Sequence, residues 1–193
     1  MKLDIGSYLR PCFGERVIGD AIVSHNENGH TFLIVIDGIG HGPEAGSISK
    51  KIKEFVQRNW IQSPAKLIEK IHDHMKGSDG AVIGVSIINH EKEELVFAGL
   101  GNISCRIKGE ESKLMISADG LIGVRFRSVE NAKVQLKNKD MVIMHSDGVS
   151  STHEMTELLN RGFSSRILAK KIVQEFGSDY DDSSCLIAKC KLD

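Results

Sequence analysis

Apolar and polar positions follow three successive regimes along this chain. They alternate, then run together, then recur every three to four residues. The first 36 residues read as strands: a short apolar start, then VIGDAIVSH, a polar turn from Asn26 to Gly29, and the run TFLIVI. A turn of that composition between apolar runs predicts a hairpin, because asparagine and glycine accept the backbone angles a tight turn needs. Beyond it, Ala45, Ile48, Ile52, Phe55, Val56 and Trp60 recur at helical spacing with lysines between them. This predicts an amphipathic helix ending near Trp60. Ser63 before Pro64 reads as an N-cap with proline in the first turn, and Leu67, Ile68, Ile71 and Met75 give a second helix its stripe, ending before Gly77.

The period changes again at Gly80. AVIGVSIIN, the charged turn HEKEE and LVFAGLGNISCRI read as one long β-hairpin reaching Ile107, rich in β-branched residues. Shorter strands are expected around residues 114–116, 132–136 and 141–145. A short helix near 154–159 follows, then a helix from about Ser165 to Phe176 closed by Gly177, and a final strand, SSCLIAKC. This order lacks the regular strand–helix alternation of a doubly wound parallel sheet. It predicts an α+β arrangement with two antiparallel sheets and helices packed outside them.

Length and composition narrow the functional classes. At 193 residues the chain is expected to form one domain spanning 1–193. Its 40% hydrophobic and 26% charged residues, with only three prolines, suit a folded protein without a tail or repeat array. A net charge of −1 leaves no footprint for a polyanion, so nucleic acid is not an expected partner. The N-terminal MKLDIGSYLRP carries Asp4 and lacks a signal-peptide stretch, and no segment approaches the roughly 20 apolar residues of a membrane helix. No membrane association and a cytoplasmic location are therefore expected. Four cysteines form no CxxC pair, and Cys12 stands too close to Arg16 for the cysteine-phosphatase signature, which disfavours thiol chemistry.

The candidate chemistry lies in acidic turns. FLIVIDGIGHG ends an apolar run with Asp37, MVIMHS ends at Asp147, and Asp181 and Asp182 precede the last strand. Asp37-Gly38 alone has three readings: a tight turn, a phosphate-cradling glycine loop, or a metal site. The glycines at 38, 40 and 42, followed by Pro43, miss the GxGxxG spacing of a dinucleotide loop. Repetition of strand–Asp–Gly at Asp147-Gly148 favours the metal reading, since hard divalent cations choose carboxylate, carbonyl and water oxygens. His41 has the chemistry of a proton donor near neutral pH, though its place in GHG is equally explained by a turn or a supporting contact. His145 reads as packing, as do Met141 and Met144. Arg10 and Arg16 could reach a phosphate, yet surface arginines are usually solvated.

Taken together, IGDAI, VIDGIGHGPEA, GLGNISCRI, MHSDGVSS and YDDSSCLIAK resemble the SpoIIE/RsbX-type branch of the metal-dependent protein phosphatases related to protein phosphatase 2C. The resemblance spans almost the whole chain and rests on the joint order of its motifs. It implies a four-layer α-β-β-α sandwich holding two Mn²⁺ or Mg²⁺ ions between the sheets. Asp37 would bridge both ions and Gly38 would supply its carbonyl to one. Asp147 and one acid of the Asp181/Asp182 pair would hold the other, with Asp181 preferred. Asp20 would bind directly or order a water. Asp37 and Asp147 would act in catalysis through a metal-activated water, with His41 as candidate proton donor. Two departures stand out: Ser184 replaces the usual threonine, and Ile18 replaces a glycine before Gly19.

The expected activity is hydrolysis of phosphoserine or phosphothreonine on STAS-domain scaffold proteins of a bacterial stressosome, resetting stress signalling. Two ions suit it, because they lower the pKa of a shared water and clamp phosphoryl oxygens for in-line attack. The alternative is a non-catalytic regulatory module of the same fold. It is weakened because a docking surface has no need to gather carboxylates that repel one another.

Overall fold

The structure, a computed structural model, describes residues 1–151 and 153–191. Strand β1 (Lys2–Arg10) opens the chain, and β2 (Asp20–Glu27) and β3 (His30–Gly38) form the first hairpin. Asn28 and Gly29 turn it with φ of 48° and 74°, the left-handed pair that a two-residue turn requires. Helices α1 (Gly42–Arg58) and α2 (Pro64–His74) follow, and the Ser63 hydroxyl accepts from the Lys66 N–H at 3.5 Å, capping α2. Trp60 lies just beyond α1, stacked on His25 with ring centroids 4.1 Å apart.

Strands β4 (Ala81–Asn89) and β5 (Glu94–Leu100) pair as a hairpin, but the long second arm expected through Ile107 is broken. Gly101 takes a φ of +89°, and a Cβ there would lie 2.1 Å from the Val82 side chain, so glycine alone fits the turn. The chain then crosses to the opposite sheet as β6 (Ser104–Lys108), burying Ile103 and Cys105 between the sheets. After β7 (Ser112–Met115) comes a ribbon, β8 (Gly120–Leu121) with β9 (Arg125–Phe126), then β10 (Ala132–Gln135) and β11 (Met141–His145). Elements α3 (His153–Leu159), α4 (Ser165–Phe176) and β12 (Ser183–Lys191) complete the fold. Gly177 closes α4, as expected, in extended backbone: its φ is −77°, and its N–H donates to the Val173 carbonyl at 3.1 Å.

Two antiparallel five-stranded sheets result, ordered β1-β12-β11-β6-β7 and β10-β5-β4-β3-β2. Helices α1 and α2 cover the second sheet, and α4 covers the first. Three apolar clusters fill the gaps: one under α1 and α2, one between the sheets, and one under α3 and α4. The expected four-layer α-β-β-α sandwich is therefore the observed fold. Because β4 is covered on both faces, all but its last residue is buried, which explains its unbroken apolar run. Among the described residues no helix is long and apolar enough to cross a membrane.

Candidate active site

Period-two alternation decides where β3 delivers Asp37. Phe32, Ile34 and Ile36 pack toward the helices, whereas Leu33 and Val35 face the opposite sheet. Asp37 continues the second series. On β2, Ile22 faces the opposite sheet and Asp20 shares its parity; Asp20 and Asp37 are direct register partners. From the other sheet, Val142 and Met144 face inward and Ser146 follows in phase, as does Ser184 before Leu186. Asp147 then leaves the end of β11, and Asp181 lies two residues before β12. Both sheets thus deliver carboxylates to one shared edge.

Asp37, Asp147 and Asp181 line one open cleft of about 410 Å³, together with His41, Asn102 and Tyr180. Burial first, then the charges of Asp20, Asp147 and Asp181, push the Asp37 carboxyl up to about 9. Burial and the Asp147 charge raise Asp181 in the same direction. Asp147 is exposed, and its Oδ2 accepts from Asn102 Nδ2 at 2.6 Å. The acids converge without closing: among the described residues no three His, Cys, Asp or Glu side chains form a ready-made cation cage.

Asp20 lies behind them, 3% exposed, and neither of its carboxylate oxygens has a hydrogen-bond partner. Burial pushes its carboxyl up to about 6; the nearby Ser146 and Ser184 hydroxyls temper the rise without reaching bonding geometry, and Asp182 and Asp181 add to it. Those hydroxyls are 3.2 Å from each other. A buried carboxylate with nothing to balance it is costly. An all-oxygen donor set around such an orphan fits Mg²⁺ or Mn²⁺ and suits no soft or imidazole-seeking ion.

Asp182 is placed differently from its neighbour. It is 2% exposed, and its oxygens accept from the Cys12 N–H at 2.9 Å and the Gly19 N–H at 2.6 Å. It ties the loop before β2 to the start of β12. Glycines make the close approaches around it: a Cβ on Gly148 would lie 1.9 Å from the Asp182 carbonyl, and one on Gly19 would lie 2.7 Å from its carboxylate. Gly38, buried at the end of β3, donates its N–H to the Gly19 carbonyl at 3.3 Å, and the Ser49 hydroxyl donates to that same carbonyl. A Cβ on Gly38 would lie 2.5 Å from the Ala45 carbonyl, so α1 presses directly on this strand end.

His41 precedes α1 on the cleft wall, and its Nδ1 donates to Glu15 Oε1 at 3.0 Å. Gly40 and Gly42 flank it with φ of 86° and 74°, which explains the glycine spacing of GIGHG as backbone conformation. His145 faces away from the cleft, buried, with Nδ1 donating to the Ser146 carbonyl at 2.9 Å and Nε2 3.0 Å from the Ser151 hydroxyl; burial lowers its pKa. Arg10 is committed to the 178–179 turn, donating to the Ser178 carbonyl at 2.8 Å and pairing with Asp179. Arg16 is exposed. Cys105 and Cys185, pushed up to about 12 by burial, are inert thiols.

Asn102, Glu15, Ser146 and Ser184 were not assigned roles from sequence. The Asn102 signal lies in GLGN, where a polar residue follows a strand-ending glycine at the same edge as the acids. Glu15 carried no signal, because its contact with His41 spans 26 positions. A more voluminous cavity, about 580 Å³, lies at the β8–β9 ribbon; it offers one acid, Asp119, beside Arg125 and Arg127, and no carboxylate cluster.

Comparison with known proteins agrees with this geometry. The sequence profile of the SpoIIE family, Stage II sporulation protein E, matches residues 27–190. A chain from a structure of the bacterial stressosome, a modular system adapted to control secondary messenger signalling, is 26% identical; the match covers 97% of this chain and all of that one, with a TM-score of 0.91. RsbX crystallised with magnesium is 20% identical at a TM-score of 0.86, over 97% of this chain and 94% of RsbX. The PP2C phosphatase domain of SpoIIE from Bacillus subtilis, with a fragment of its regulatory domain, is 18% identical at 0.84, covering 98% of this chain and 64% of that one. No curated protein matches the sequence at a comparable level. The chain shares its fold with RsbX and with the PP2C phosphatase domain of SpoIIE, and it belongs to the SpoIIE family.

Proposed function

We propose that this protein is a Mn²⁺- or Mg²⁺-dependent phosphatase acting on phosphoserine or phosphothreonine of STAS-domain scaffold proteins in a stressosome. The observation that carries the proposal is the convergence of Asp37, Asp147 and Asp181 on one cleft, with the partnerless Asp20 behind them. Family membership and the likeness to a stressosome chain support it.

In this reading Asp37, Asp147 and Asp181 would be the carboxylate ligands of two ions, Gly38 would contribute its carbonyl, and Asp20 would bind directly or through a water. When bound, such ions would lower the pKa of a coordinated water and offset charge on the phosphoryl oxygens. Asp182 acts as a structural clamp, since both its oxygens are engaged by backbone N–H groups. Asn102 orients Asp147 through its short hydrogen bond. As water adds to phosphorus and the P–O ester bond breaks, the serine or threonine alkoxide must take up a proton. His41, exposed on the cleft wall and aligned by Glu15, is the group that can give it.

Hydrolysis of p-nitrophenyl phosphate and of a phosphoserine STAS-domain protein, with added Mn²⁺ and with chelator, tests this. Turnover that chelator and Asp37→Asn both abolish is expected. A folded wild type that binds the STAS protein but turns over neither substrate with Mn²⁺ or Mg²⁺ would refute it.

A further inference from the structure

Beside the acidic cleft lies a second cavity of about 440 Å³, lined by Cys12, Phe13, His41, Asp179 and Tyr180. His41 and Tyr180 also line the cleft, so the two adjoin. Phe13 is 89% exposed and Tyr180 is 94% exposed, although the chain has only seven phenylalanines and two tyrosines. Two aromatic rings held in water beside a reaction site have no folding role to explain them, and aromatic side chains are those most often used to bind a partner.

The rings project from a fixed frame. The Phe13 N–H donates to the Asp179 carbonyl at 2.8 Å, the Tyr180 N–H donates to the Ser178 hydroxyl at 3.0 Å, and Arg10 holds the Ser178 carbonyl. The Cys12 N–H is bound to Asp182. Loops 11–14 and 178–182 are thus tied together by backbone-anchored bonds, and the cavity between them is preformed. A preformed apolar site binds without a large ordering cost.

We infer that Phe13 and Tyr180 form a specificity subsite for an apolar side chain of the substrate polypeptide, close in sequence to the phosphorylated serine or threonine. The inference rests on the phosphatase reading of the cleft. Because the cavity adjoins the cleft, an extended peptide advancing about 3.4 Å per residue reaches both within a short segment. The rings' apolar surface selects leucine, isoleucine, methionine or phenylalanine, and it disfavours an acidic residue, which Asp179 on the same wall would repel.

The test compares phosphoserine peptides carrying leucine or aspartate at successive positions on either side of the phosphoserine, with p-nitrophenyl phosphate as a separate substrate. Wild type with Mn²⁺ is expected to favour leucine at one position by about tenfold in kcat/KM. Phe13→Ala should bring that ratio to within about twofold of one, and Phe13→Leu should restore most of it. Turnover of p-nitrophenyl phosphate with no leucine preference at any position, or a preference that Phe13→Ala leaves intact, overturns the subsite and spares the phosphatase reading. Absence of p-nitrophenyl phosphate turnover overturns that reading instead. A concentration-dependent dimer abolished by Phe13→Ala, without peptide preference, assigns the rings to a second copy of the chain and also overturns the subsite.

Discussion

Asp20 and Asp37 stand directly opposite each other across β2 and β3, both on the face turned toward the opposite sheet. Like charges in that relationship destabilise a sheet, so the pair costs the fold stability unless a proton or a cation lies between them. A chain under pressure only to fold would place one apolar residue there. Both acids stand at the one edge where Asp147 and Asp181 also arrive, and the proposed cation site rests on that convergence.

The cost has a definite pH dependence in the metal-free protein. The folded-state pKa of Asp37, about 9, lies above its ordinary value of 3.8. The fold therefore favours the protonated form, and this contribution is complete below about pH 4 and lost as pH rises toward 9. In chelator, the Tm of wild type should fall over that window. Asp37→Asn should flatten the fall, leave a smaller slope near pH 6 from Asp20, and melt roughly 5 °C above wild type at pH 8. Saturating Mn²⁺ should reverse the order, because the variant lacks the proposed Asp37 ligand. Thermal melts of both proteins in both conditions check this.

Asp181 and Asp182 are adjacent, yet their substitutions should fail differently. Asp182→Ala strands two backbone N–H groups on loops 11–19 and is expected to cost about 3 kcal/mol, lowering the Tm by roughly 6–12 °C with or without metal. Asp181→Asn, half-exposed on the cleft, should leave the metal-free Tm within a few degrees of wild type and weaken Mn²⁺ binding at least tenfold. Calorimetric metal titration beside thermal melts distinguishes the two. Unchanged Mn²⁺ affinity in Asp181→Asn, with a tenfold loss of affinity and wild-type-like metal-free melting in Asp182→Ala, would reverse the assignment.

The contrast between these neighbours explains how far the sequence could be read. The strand–Asp–Gly pattern at Asp37 and Asp147 was legible because a buried strand that ends in an acid has few other uses. The sandwich was legible from regimes of periodicity long enough to repeat. The choice between Asp181 and Asp182 was not, because both precede the strand and which one turns inward depends on the N–H groups of Cys12 and Gly19, more than 160 positions away. The break at Gly101 was hidden for a similar reason: β-branched residues continue through LVFAGLGNISCRI, and only the approach of Val82 shows that the chain must change sheets. The β8–β9 ribbon, with two residues per strand, has no period to detect.

Asn102 offers a test of how Asp147 is held. Its side chain donates to Asp147 Oδ2 at 2.6 Å from an exposed position, so removing it should disturb little packing. Asn102→Ala is expected to keep the Tm within about 2 °C in chelator. Its apparent Mn²⁺ affinity should fall about tenfold, as loss of a group that orients a ligand usually does. Activity measured over a Mn²⁺ titration should recover toward wild type at high metal, which a damaged fold would not allow.

Glu15 and His41 can be separated from the metal ligands by varying the leaving group. A proton donor matters most when the departing oxygen is a strong base and least when it leaves as a stable phenolate. His41→Ala is expected to slow hydrolysis of a phosphoserine peptide by about 10²-fold or more while slowing p-nitrophenyl phosphate by only a few fold. Glu15→Ala should follow the same pattern with a smaller loss, because it removes the carboxylate that fixes the ring through Nδ1 and leaves the imidazole in place. Glu15→Asp, too short to reach His41 from the same backbone position, should resemble Glu15→Ala, and Glu15→Gln should retain part of the effect. Equal losses on both substrates for His41→Ala would remove it from proton transfer and make the Glu15 contact a device for shaping the turn before α1.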